Sequence, residues 1–215
     1  MTESEFFENL MSKTEMLEIK PVRTVQTLPQ ILRLLVISLL TGENLKNLEF
    51  FSKESRIKSL LKDYDPIGIR RIGSYTDLLS EGLVVFGETK KSLVKKLCQS
   101  ACQSAKYLSR FQNLADFTKK LYLSCSDADA TFAFLQDFRR ISSLSGMYFI
   151  KTCAFFEATG LLDVPVPESH VKDLLIAAFE LENDNKVIYH KIAHIAKVNK
   201  VSCYELHQRL SAVAI

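Results

Sequence analysis

The sequence predicts an all-α protein. Three observations carry that reading. Glycine (7) and proline (5) are scarce in 215 residues, so few turns are available to join short strands. From residue 89 to the end, the apolar residues recur at helical spacing almost without interruption. The run Ile31–Leu40 is apolar on nearly every side, as a helix in the middle of a bundle must be.

Taken in order, residues 4–20 show helical spacing through Phe6, Leu10, Met11 and Leu17, and residues 21–29 form a connector with two prolines. A helix over 29–40 ends at Thr41-Gly42. Residues 44–63 are amphipathic, with Leu48, Phe51, Ile57 and Leu61 inward and Lys53, Arg56 and Lys62 outward. Residues 63–75 read as irregular. Their Gly68 and Gly73 are no phosphate loop, because no Lys-Ser/Thr follows. Arg70-Arg71 there is either a phosphate contact or a solvated pair. Leu83–Phe86 is open between a short strand and a buried helical turn. Helices follow at about 89–109, 113–124, 128–141, 148–159, 168–181, 184–198 and 202–213. The last opens with a capping box, Ser202 and Glu205. The division drawn from this is an N-terminal helical region, 1–88, packed on a second region, 89–215.

Hydrophobic content of 47%, charged content of 25% and a net charge of +3 describe an ordinary soluble chain, and they permit a nucleic-acid partner without requiring one. Five cysteines, with no CxxC pair, make no disulfide framework and point to a reducing, intracellular compartment: cytoplasm with nucleoid, or nucleus. The start, Thr2-Glu3-Ser4-Glu5, is not that of a signal peptide. Ile31–Leu40 is shorter than the ~20 residues that span a bilayer, so no membrane role is expected.

Residues 141–175 hold the chemistry. Lys151 falls in the first turn of a helix, where the dipole and neighbouring Phe149, Phe155 and Phe156 disfavour the charged amine. A neutral amine can attack an electrophilic carbon and form a Schiff base, while a solvated surface lysine is the plainer reading. Glu168 follows Val164-Pro165-Val166-Pro167 at the head of the next helix, where amides favour its ionised form. It suits a carboxylate that stabilises a developing cation, or an ordinary helix-start acid. If the two helices pack as a hairpin, Lys151 and Glu168 share a cleft. His170, two residues on, suits a loop-orienting role through a backbone carbonyl. His190 and His194 have the spacing of two metal ligands but no third, so no metal and no cofactor is expected. Ser142, Ser143 and Ser145 lack the Gly-x-Ser-x-Gly pattern of a serine hydrolase. Basic residues gather at Lys90, Lys91, Lys95, Lys96, Lys106 and Arg110, and again at Lys186, Lys191, Lys197 and Lys200. Either group suits a phosphate track or a solvated face.

Leu144-Ser145-Gly146-Met147-Tyr148-Phe149-Ile150-Lys151-Thr152-Cys153-Ala154 resembles the helix-hairpin-helix of the DNA glycosylase superfamily, whose pattern is Leu-Pro-Gly-Ile-Gly-x-Lys-x-Ala. Val166-Pro167-Glu168-Ser169-His170-Val171 resembles that family's Pro-Asp-x-His-Val segment. The similarity spans roughly residues 90–213. It implies two helical subdomains with a helix-hairpin-helix motif and a lesion cleft between them. It implies a base-excision DNA glycosylase with an associated abasic-site lyase, acting on double-stranded DNA with damaged bases, as a monomer. Lys151 then matches the nucleophile and Glu168 the catalytic aspartate. Ser145, Gly146, Met147, Tyr148 and Phe149 match the DNA-binding hairpin. Two departures stand out: the second hairpin glycine is replaced by Tyr148 or Phe149, and the aspartate by Glu168. A non-catalytic nucleic-acid-binding relative, or an unrelated helical interaction protein, are the alternatives.

Overall fold

The computed structural model describes residues 1–40 and 54–213. Among them the fold is all-helical, with twelve α-helices and no strand. In chain order these are α1 (Glu3–Lys13), α2 (Leu28–Leu40), α3 (Glu54–Leu60), α4 (Pro66–Arg71), α5 (Tyr75–Phe86) and α6 (Lys91–Leu108). Then come α7 (Leu114–Ser124), α8 (Ala128–Ser142), α9 (Phe149–Thr159), α10 (Ser169–Phe179), α11 (Asn185–Val198) and α12 (Cys203–Val213).

Two compact units emerge, and neither is one continuous stretch. The first comprises Met1–Thr24, Cys125–Gln136 and Phe149–Ile215; the second comprises Val25–Ser124 and Asp137–Tyr148. The linear division at residue 88 therefore differs from the compact units, whose segments alternate along the chain. Periodicity assigns helices but does not show when a chain leaves a unit and returns.

The first unit has a core of Phe6, Leu10, Val171, Leu175, Ile188, Ile192, Ile195, Ala196, Leu206 and Leu210. α1 packs on α11 and α12, and α12 also packs on α10 and α11. Thr2 opens α1 with a capping box, its hydroxyl accepting from the Glu5 amide and the Glu5 carboxylate accepting from the Thr2 amide. α1 stops at Lys13, short of the expected residue 20. Thr14 turns its hydroxyl onto the Leu10 carbonyl at 2.7 Å, and Arg209 reaches the same hydroxyl at 3.1 Å.

The second unit is built around α6, which packs on α2, α4 and α5. Val94, Leu97, Cys98, Ala101, Ala105 and Leu108 of α6 are fully buried. α5 approaches closely because Gly82 faces it. A Cβ there would meet Val94 Cγ1 at 2.7 Å and Cys98 Sγ at 3.3 Å. Leu83–Phe86, open between strand and helix in the sequence, is the last turn of α5.

The segment 63–75, expected to be irregular, contains α4. Asp65 caps it by accepting from the Ile67 and Gly68 amides at 3.2 and 2.9 Å, and Pro66 fits its first turn. The expected helix 44–63 lies partly outside the described residues, and the stop at Thr41-Gly42 lies wholly outside them. What is described ends at Leu60, followed by Lys62, Asp63 and Tyr64 at φ 49°, 58° and 61°. That left-handed run has no signature in residue type, since none of the three is glycine.

Candidate functional site

The link between α8 and α9 is tight and well anchored. Ser142 donates its hydroxyl to the Phe138 carbonyl at 2.6 Å and closes α8. Ser143 and Gly146 take positive φ, 59° and 93°. A Cβ at Gly146 would meet only Leu39 Cδ2, at an ordinary 3.7 Å, so the glycine serves backbone conformation there. The Met147 amide donates to the Leu144 carbonyl at 3.3 Å, and both of those side chains are buried. Ser145 is exposed and its hydroxyl donates to Gln103 Oε1 at 3.2 Å. Tyr148 is 60% exposed. Of the five expected hairpin residues, Ser145 and Tyr148 thus offer side chains to solvent. Phe149 instead opens α9 and packs its ring 5.0 Å from Phe132 and 6.0 Å from Tyr189. Ser145 to Tyr148 belong to the second unit and Phe149 to the first.

Lys151 is the third residue of α9 and is half-buried. Phe155 and Phe156, expected to shield it, are fully buried core residues whose rings meet at 4.9 Å. α9 ends at Thr159, and Gly160 follows at φ 63°. The expected stop is therefore present. A Cβ at Gly160 would meet the Thr24 Cα at 3.0 Å, so both backbone angle and space require glycine.

The chain then runs through Val164, Pro165, Val166 and Pro167, all buried, to Glu168. This is an anchored arm. Its Asp163 carboxylate accepts from the Cys203 and Tyr204 amides at 3.1 and 3.2 Å and caps α12. The Ser202 hydroxyl accepts from the Glu205 amide at 3.0 Å, the expected half of the capping box, while the Glu205 carboxylate holds Arg209.

Glu168 is the N-cap residue of α10, yet its side chain makes no capping bond. Its carboxylate turns to two imidazoles, His170 Nε2 at 3.6 Å and His207 Nε2 at 3.8 Å. The expected ionisation is thus favoured, but by a different cause. His207, in place of backbone amides, holds the Glu168 carboxyl below its ordinary value against the opposing effect of burial, with His170 adding to it. His170 also reaches Ser211 Oγ at 3.4 Å, so it braces α10 through a hydroxyl of α12.

His207 was not singled out as a site residue from the sequence. It is 7% exposed, and its Nδ1 lies 2.8 Å from Glu157 Oε1 in the last turn of α9. Burial disfavours its charge, but the flanking carboxylates of Glu157 and Glu168 outweigh burial and push its pKa up to about 9. At 3.8 Å the Glu168 contact is an ion pair, and Nε2 has no hydrogen-bond acceptor among the described residues. A signal was present. His207 shares a stripe with Cys203, Leu206 and Leu210, and a histidine on an apolar face must find a buried partner.

The other candidates disperse. His190 lies 3.4 Å from Asp129 and His194 3.9 Å from Glu3, so the two part company. Among the described residues no group of three His, Cys, Asp or Glu could hold a metal ion. Burial pushes the Cys98 and Cys203 thiols up to about 12, far from an activated thiolate. Arg70 donates to Ser109 Oγ at 3.0 Å. No described helix is long and apolar enough to cross a membrane. No protein-family model, curated protein or solved structure matches this chain.

Proposed function

We propose that the protein is a DNA base-excision glycosylase with a Schiff-base lyase step. The observation that carries this is Glu168. It is a carboxylate at the head of a helix, kept ionised by two imidazoles, not consumed as a cap, and 40% exposed. A preorganised negative charge open to solvent is what an oxocarbenium-like sugar needs as its glycosidic bond breaks. Lys151 supplies the second group. Its neutral amine attacks C1′ of the sugar as the damaged base leaves with the electron pair of the glycosidic bond. The C1′–O4′ bond then opens, a proton lost from the lysine nitrogen being matched by one gained at O4′, and the resulting Schiff base permits strand scission. The base is extruded from the duplex to reach them. The hairpin of Ser145, Gly146, Met147 and Tyr148, followed in the chain by Phe149, holds the backbone of double-stranded DNA in a helix-hairpin-helix arrangement. The monomeric, intracellular repair enzyme that this describes needs no cofactor.

One observation favours a second reading, a nucleic-acid-binding relative without the reaction. The His207 imidazolium already faces Glu168 and competes with a substrate cation for its charge. Borohydride trapping on duplexes with a panel of damaged bases and an abasic site separates the two. The glycosylase reading expects a trapped adduct that Lys151→Gln abolishes, and base release that Glu168→Gln slows about 100-fold. Trapping that survives Lys151→Gln removes that lysine as nucleophile. Binding with neither trapping nor base release leaves the second reading.

A further inference from the structure

The overall charge of +3 conceals a strong segregation. The second unit carries eighteen Lys and Arg against ten Asp and Glu, a net of +8; the first carries ten against fifteen, a net of −5. Within the second unit, α6 contains no acidic residue at all. Its buried residues fill one side. Lys91, Ser92, Lys95, Lys96, Gln99 and Lys106 are exposed on the other, within an arc of about 140° at 100° per residue. Glu88, just before the helix, pairs with Lys91 at 3.3 Å.

Two contacts join this stripe to the α8–α9 hairpin. Ser145 donates to Gln103 on the edge of the stripe, and Arg110, beyond the end of α6, donates Nη1 to the Ile141 carbonyl at 3.3 Å. From Lys91 to Arg110 the stripe runs about 28 Å at 1.5 Å per residue. That matches about eight base pairs of duplex.

We propose that the exposed face of α6 is a second DNA contact, tracking the phosphates of the duplex beside the hairpin. It rests on the preceding reading only in taking duplex DNA as the partner. The composition of the stripe selects that partner. Its cations are interleaved with serine and glutamine, which hydrogen-bond phosphate oxygens. It carries no aromatic residue to stack unpaired bases and no apolar anchor to enter a lipid surface.

The test uses the full-length chain and an undamaged 20-base-pair duplex, with anisotropy read over a range of salt. One variant combines Lys91→Gln, Lys95→Gln and Lys106→Gln. A control combines Lys13→Gln, Lys20→Gln and Lys197→Gln, which removes equal charge from exposed sites of the first unit. Helical circular dichroism verifies that both fold. The stripe variant is expected to lose about 10-fold or more in affinity at low salt, with a salt slope shallower by about 2 to 3. The control keeps a slope close to that of the wild type. Equal effects from both triples, no effect from either, or binding to phosphatidylserine vesicles without binding to duplex would overturn the proposal. The two readings also fail separately. A salt slope that responds to the stripe without any trapping removes the chemistry and keeps the surface. Trapping with an unresponsive slope does the reverse.

Discussion

His207 makes the residue-scale case. Its folded pKa of about 9 lies above the ordinary 6.5, so the folded chain holds that proton more tightly than the unfolded chain does. The stabilisation is complete below pH 6.5 and is lost as pH rises toward 9. By linkage it amounts to about 3 kcal/mol. Glu168 runs the other way. Its carboxyl is depressed, so its contribution is present above its ordinary 4.5 and fades as pH falls through the folded value. Urea midpoints between pH 6 and 9.5 should fall for the wild type and stay nearly level for His207→Gln. Equal slopes in the two proteins would remove His207 as the source. The sequence put Glu168 at a helix head, and the structure agrees. It did not show that a histidine 39 positions later would meet that carboxylate. The distance is closed by tertiary packing, which local pattern cannot report.

At the scale of elements, helix placement from α6 onward followed the sequence closely, because apolar spacing there is regular and tertiary contacts reinforce it. The failures are equally physical. The six residues of α4 are too few to show a period, and only the Asp65-Pro66 pair announces it. Apolar spacing carries α1 too far because Leu17 fits it, whereas Thr14 folds back on the backbone. Cap chemistry was readable where donor and acceptor are neighbours, as at Ser202. It was invisible where the cap comes from afar, as with Asp163. Removing that long-range cap by Asp163→Ala should cost about 1–2 kcal/mol, measured by chemical denaturation, because two amides of α12 lose their acceptor. A loss within error would show that water replaces the carboxylate.

For the molecule as a whole, the helical class was legible in composition and the interleaving of the two units was not. The same is true of charge: a mild total hid a basic unit and an acidic one. The alternation also bears on the order of events during synthesis. Phe6 and Leu10 of α1 emerge from the ribosome well before their core partners Ile188, Ile192, Leu206 and Leu210 are made. Residues 25–124 of the second unit can associate while the rest of the chain is still being made. α1 must wait for the C-terminal helices with its apolar face unburied, a costly long-range closure. Nascent chains halted before residue 185 should therefore be cut by protease within residues 3–13, while released chains resist. Protection of that segment in the halted chains would show that α1 has found another partner in the meantime. α1 is thus translated long before it can be locked in place, which makes α11 and α12 the guardians of a helix made far ahead of them.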